Sequence, residues 1–211
     1  MISREMRDFL SDFKSHSHVV LLYYSPQTKR EVLFSHLKFG EEKQGLAYVC
    51  SEDTPQQTRE EMKKFGIDAD RLRTNGKLII SNYDEIYIVR GEVNNARIMT
   101  AFAEMTERYR VMGLDGLRAA AEMSCFFREN KIEEMMKYEY VLHRNFRFPA
   151  EGICAYNIRE MQSSGQLSAI MPILRAHSTV IMAGPDESLI LDPIEVENED
   201  VERTMKIKLT V

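Results

Sequence analysis

Apolar positions recur at helical spacing over residues 2–14, where Ile2, Met6, Phe9, Leu10 and Phe13 share one face of a short amphipathic leading helix. The run His18-Val-Val-Leu-Leu-Tyr-Tyr24 follows. An unbroken apolar run bounded by turn residues predicts a strand buried on both faces. Ser25-Pro26-Gln27-Thr28 reads as the loop beyond it. Residues 29–39 then form a helix through Val32, Leu33, His36, Leu37 and Phe39, stopped by Gly40. A second strand, Gly45-Leu-Ala-Tyr-Val-Cys50, leads into the loop Ser51-Glu52-Asp53-Thr54. Thr54 is a good N-cap with Pro55 at the first helical position, and that helix runs to Phe65 and ends at Gly66.

The rhythm continues. Lys77–Ser81 predicts a strand, and Tyr83–Arg90 an extended or loop segment. Asn94–Arg110 predicts a long helix through Ile98, Phe102, Met105 and Tyr109. Gly116–Met123 predicts a strand, 127–144 a helix, Gly152–Tyr156 a strand, Gln166–Arg175 a helix and Thr179–Ala183 a last parallel strand. Strands alternating with helices mean repeated right-handed βαβ units. The fold class is therefore α/β, a three-layer αβα arrangement around a mostly parallel sheet. The helical period is lost after residue 185. Ser188–Leu191 and Thr204–Val211 read as strands around the acidic stretch Glu195–Glu202, predicting an antiparallel β-extension over 186–211. A disordered tail is the plainer alternative there.

Composition narrows the class. A chain of 211 residues suffices for one large domain, or one domain with a small appendage. A net charge of −5 argues against a broad electrostatic footprint for nucleic acid. The charged N-terminus lacks the apolar core of a signal peptide, and no run approaches a membrane span, so the expected location is the cytoplasm. Cys50, Cys125 and Cys154 lie far apart without CxxC or Cys/His spacing, which favours buried thiols in strands.

Ligands of open parallel sheets bind beyond the carboxyl ends of the strands. The first such loop matters most. A phosphate loop needs glycines whose N–H groups wrap the phosphates, a lysine and a magnesium-holding hydroxyl. Tyr24-Ser25-Pro26-Gln27-Thr28-Lys29-Arg30-Glu31 has no glycine, Pro26 removes a donor, and Glu31 stands where a hydroxyl is wanted. Lys29 and Arg30 at a helix start leave weak anion contact open; a solvated first turn explains them equally well.

Other candidates follow from strand geometry. Glu52 and Asp53 beyond the second strand suit proton transfer or a cation, although dipole partners of the next helix explain them more simply. Period-2 geometry puts Arg118, Ala120 and Glu122 on one strand face. A mutual or helix-directed ion pair is the plainer reading, and Glu122, near the carboxyl end, is the better functional candidate. His16-Ser17-His18 has no third metal ligand at readable spacing, so a structural histidine at a strand start is favoured.

Several stretches together resemble a known family. The order of the first two strands and helices, with the Phe65-Gly66-Ile67-Asp68 turn, is similar to RecA/KaiC-type ATPase domains. Gly116-Leu-Arg118-Ala-Ala-Ala-Glu122-Met123, Tyr138-Glu139, Ile153-Cys154-Ala-Tyr156-Asn157 and His177-Ser-Thr-Val-Ile181 resemble the MEDS (methanogen/methylotroph DcmR sensory) domain, over about residues 14–184. The resemblance implies a KaiC-like sensory domain over 1–185, its phosphate loop degenerate, that senses a small hydrocarbon derivative or other metabolite. Some members of that family carry a DNA-binding helix-turn-helix or a kinase module. The chain shows neither, so the expected output comes from a separate regulator or kinase, or is absent. Asn157 stands where the family usually has an acid.

The expected function is thus a non-catalytic sensory module with no cofactor. Its ligand, an unidentified small molecule, sits at the strand carboxyl rim among Tyr24, Ser25, Glu52, Glu122 and Tyr156, with Lys29, Arg30 or Arg118 meeting any negative group. The leading helix and the β-tail are candidate surfaces for self-association. The alternatives are a weak nucleotide-binding or NTP-hydrolysing protein of the KaiC class and, lower, a structural subunit.

Overall fold

A computed structural model describes residues 2–14, 16–145, 149–184 and 188–192. A seven-stranded sheet carries helices on both faces. The strands are β1 (His18–Tyr23), β2 (Gly45–Cys50), β3 (Leu78–Asn82), β6 (Leu117–Glu122), β7 (Ala150–Asn157), β8 (Thr179–Ala183) and β9 (Ser188–Leu191), in the spatial order β3-β2-β6-β7-β1-β8-β9. All pairings are parallel except β8–β9, where Ala183 faces Ser188. β1 is buried at every position, as a central strand between two helical layers must be.

The helices divide by face. α1 (Arg4–Ser11), α2 (Pro26–Gly40), α3 (Pro55–Phe65) and α4 (Ala69–Thr74) cover one side, and the other helices the opposite side. The chain leaves β1 toward β2 over one face and returns from β7 to β8 across β1. The topological switch therefore lies between β1 and β7, and its carboxyl end is where a ligand crevice is expected.

Local chemistry explains the boundaries. Thr54 caps α3 in a reciprocal box with Gln57, Pro55 opens the helix and Gly66 closes it at φ 91°. α2 starts at Pro26, earlier than the apolar pattern indicates, because Ser25 is a true N-cap and proline suits the first turn. Residues 83–90 are not simply extended. They hold a one-turn helix, α5 (Tyr83–Ile86), and open a hairpin of β4 (Ile88–Val89) and β5 (Glu92–Val93). Its turn, Arg90-Gly91, has both residues at positive φ, as a type I′ turn needs. α6 (Asn95–Val111) stands near its expected place. The apolar pattern read as one helix over 127–144 is broken at Asn130, φ 52°, into α7 (Ser124–Arg128) and α8 (Ile132–Asn145). α4 and α9 (Ile158–Ser163) are too short to declare a period, and a 3-10 turn (Leu167–Ala169) precedes α10 (Ile170–Arg175). Cys50 and Cys154 are buried in strands and Cys125 is buried in α7, so the expectation of strand thiols fails for Cys125 alone. No described helix is long and apolar enough to cross a membrane. The strand expected over Thr204–Val211 and the acidic stretch Glu195–Glu202 lie outside the described residues.

His36 of α2 is buried with its ring 4.5 Å from Phe13. Burial first, and then the charge of Arg118, hold its pKa well below the ordinary value. The folded state thus refuses a proton that the unfolded chain accepts near pH 6.5. This contribution to stability is complete above that pH and is lost as the pH falls. His36→Leu is expected to flatten the decline between pH 7 and 5 by up to about 1.4 kcal/mol per unit, read from urea unfolding. Parallel slopes for the two proteins would count against this.

Candidate functional site

Only Tyr24 and Ser25 separate β1 from α2. Ser25 is extended and its hydroxyl accepts from the Thr28 backbone N–H at 3.1 Å and meets the Thr28 hydroxyl at 2.8 Å. So tight a turn offers no loop for wrapping phosphates. It places Lys29 one turn into the helix, where its backbone N–H donates to the Ser25 carbonyl. The Lys29 side chain runs back under the turn and is wholly buried.

A charged network closes around it. Lys29 Nζ lies 2.6 Å from Glu122 Oε1, 2.9 Å from Glu52 Oε2 and 3.9 Å from Asp53 Oδ2. Glu122, the last residue of β6, also accepts from the Tyr48 hydroxyl at 2.6 Å. Its second oxygen takes the backbone N–H groups of Ser51 and Glu52, both at 2.7 Å. Glu52 accepts from the hydroxyl of Tyr23, from Ser124 at 2.8 Å and from Asn157 Nδ2 at 3.3 Å. Outside this knot Arg30 pairs with Asp53 at 2.8 Å and Glu61 at 3.5 Å. One ammonium thus serves a buried carboxylate, Glu122, and a partly buried one, Glu52, and hydroxyl and N–H donors supply the remainder.

The titration behaviour follows. Burial works against the Lys29 charge, but Glu122 and Glu52 outweigh it and hold its pKa above the ordinary value. Burial likewise opposes ionisation of Glu52, while Lys29 and the Tyr23 hydrogen bond prevail and hold it below the usual carboxylate range. Burial, then the neighbouring carboxylates, push Tyr23 and Tyr48 far up, so both remain hydrogen-bond donors.

Of the residues singled out by sequence, Lys29, Glu52 and Glu122 converge, with Arg30 and Ser25 beside them. Three others differ. Arg118 shares the Glu122 face of β6 but sits at the opposite end of the strand. There its guanidinium meets Glu151 at 3.1 Å and the carbonyls of His36 at 3.0 Å and Leu10 at 3.4 Å. Its partner is not Glu122: period two fixes a face but not an end, and four residues span roughly 13 Å. Tyr156 points to the other face of the sheet, where it is buried and donates to Glu139 of α8. Its neighbour Asn157 is the β7 residue that reaches Glu52. Tyr24 is half-exposed and lines an apolar cleft of about 370 Å³ with Leu22, Ile158, Met182 and Leu189. Sequence reading missed Tyr23, Tyr48, Ser124 and Asn157. Strand parity could have found the first two, since both alternate with residues of the opposite core.

A family model of the methanogen/methylotroph DcmR sensory domain matches residues 17–178. Among solved structures, a KaiC-like protein from the hyperthermophilic archaeon Pyrococcus horikoshii OT3 superposes with a TM-score of 0.60 at 17% identity, covering 85% of this chain and 80% of that one. A second Pyrococcus horikoshii OT3 protein gives a TM-score of 0.59 at 8% identity, covering 88% and 90%. At these identities the likeness concerns the fold. A search of curated proteins returns no match.

Proposed function

The chain belongs to the methanogen/methylotroph DcmR sensory-domain (MEDS) family, and from that premise we propose that it is a non-catalytic sensory module of the cytoplasm, binding a small, mainly apolar molecule at the carboxyl rim of its sheet. The observation that carries this reading is the complete burial of Lys29 between Glu122 and Glu52. Phosphoryl transfer needs a lysine that faces the phosphates and a loop of N–H donors. A triphosphate at this rim would instead meet carboxylates whose counter-ion is already engaged. Next to it, the cleft under Tyr24 has the size of small-molecule sites and an apolar lining. An occupant there touches the ends of β1 and β8 and the edge strand β9. Its differential affinity for two arrangements of these segments would pass the signal to a separate regulator or kinase, or to a second copy of the chain.

Thermal unfolding with ATP·Mg, with ADP and with short-chain alcohols, thiols and haloalkanes tests the reading. A ligand at a hundredfold excess over its Kd stabilises by about 2.7 kcal/mol. The expected result is a rise in Tm with at least one apolar compound, abolished in Leu189→Lys, whose exposed side chain rims the cleft. A magnesium-dependent rise with ATP would reject it in favour of a nucleotide-binding protein.

A further inference from the structure

On the sheet face opposite Lys29 stands a second buried cluster that the sensory reading does not use. His18 opens β1, Cys154 lies on the neighbouring β7, Glu139 reaches in from α8, and His177 lies between α10 and β8. All four are buried, and one donor atom from each lies within 4.8 Å of the others. Nε2 of His18 is 3.1 Å from Oε2 of Glu139 and 3.4 Å from Sγ of Cys154. Nε2 of His177 is 3.5 Å from the same carboxylate oxygen. Zinc bound at about 2.0–2.1 Å to nitrogen or oxygen and about 2.3 Å to sulfur, in a tetrahedron, spaces its ligands about 3.3–3.6 Å apart. The observed separations already approximate those edges.

The outer atoms of His177 and Glu139 are pinned from outside. His177 Nδ1 donates to the Ile173 carbonyl at 2.7 Å, which leaves a lone pair on Nε2. The Tyr156 hydroxyl donates to Glu139 Oε1, which leaves Oε2 turned inward. Neither His177 Nε2 nor Glu139 Oε2 completes a hydrogen bond among the described residues. These two atoms therefore face each other at 3.5 Å in the protein interior, an arrangement that a cation between them makes favourable. We propose that His18, Glu139, Cys154 and His177 form a tetrahedral site for a divalent transition metal of zinc type. Charge agrees: a dication with one thiolate, one carboxylate and two neutral imidazoles is neutral overall, as a centre in the core should be. Nitrogen and sulfur donors select zinc over magnesium or calcium. The protein supplies all four positions, so the metal is a staple joining β1, β7, α8 and the α10–β8 connection, with no open place for a water. The outer partners Tyr156 and the Ile173 carbonyl are the hydrogen bonds that orient such ligands.

The test uses the full chain. Protein denatured with chelator is refolded with cobalt(II), and the spectrum and bound metal are measured. The site requires one cobalt per chain, the intense visible bands of tetrahedral cobalt, and a thiolate-to-cobalt charge-transfer band. Cys154→Ser should remove the charge-transfer band, whereas Cys50→Ser and Cys125→Ser should keep it. Tyr156→Phe, which retains the ring, should weaken cobalt affinity about 10–100-fold. The proposal fails if the refolded protein takes up no cobalt, if the spectrum is that of octahedral cobalt, or if Cys154→Ser retains the thiolate band. A Cys154→Ser that does not refold leaves the decision to stoichiometry, spectrum and Tyr156→Phe.

Discussion

Lys29→Met is expected to cost the fold about 3–5 kcal/mol, the usual penalty for removing one partner of a buried ion pair. Methionine fills much of the same volume, so the loss would be electrostatic rather than a cavity. It leaves Glu122 and Glu52 facing each other with no cation, held only by Tyr48, Tyr23, Ser124, Asn157 and two backbone N–H groups. Lys29 now holds Glu52 below the usual carboxylate range; without it, burial dominates and the carboxyl prefers its proton. The variant should therefore lie closest to the parent at low pH and fall furthest behind as the pH rises. Adding Glu122→Gln removes one of the two orphaned charges while keeping an acceptor for the two N–H groups, and should recover part of the loss. Urea unfolding of the parent, both single variants and the double variant measures this directly. A loss below about 1 kcal/mol, or strict additivity, would show that the network carries little.

The second large effect is steric. Gly116 enters β6 at φ 146°, and a Cβ built there would collide with the Pro149 carbonyl oxygen, far inside any real contact. That oxygen accepts the Leu117 N–H at 3.1 Å, the first rung between β6 and β7. Neither strand can yield without opening the sheet at its centre. Gly116→Ala should cost about 4 kcal/mol, combining backbone strain with the clash. Gly113 supplies the comparison. It too has positive φ, 80°, but nothing lies within 4 Å of its Cβ position, so Gly113→Ala should cost about 1 kcal/mol from strain alone. Equal losses in the two variants, measured by denaturant midpoint, would refute the steric argument.

How much of this could be read from residues alone depended on locality. β1 and β2 were legible because burial on both faces leaves an apolar run, and α3 because Thr54, Pro55 and Gly66 mark its ends. Short helices such as α4 and α9 pass beneath any period, and the break at Asn130 shows only as a backbone angle. Lys29, Glu52 and Glu122 could be chosen one by one as residues beyond strand ends. That the lysine turns inward to the acids depends on a two-residue connection whose length the apolar pattern blurred. Arg118 and Tyr156 were misplaced for a simpler reason: alternation along a strand does not say which end or which layer meets the rim. The His18 cluster was illegible because its other members lie more than 100 residues away in the chain.

The leading helix has a consequence for where this fold begins. The family match starts at residue 17, yet Met6, Leu10 and Phe13 are part of the core, and the Leu10 carbonyl receives Arg118 from the centre of the sheet. The stretch that related sequences share and the stretch that cooperates in folding therefore part company at this edge. A fragment cut at the border of similarity would retain the recognisable residues but would lose the cover over a buried guanidinium.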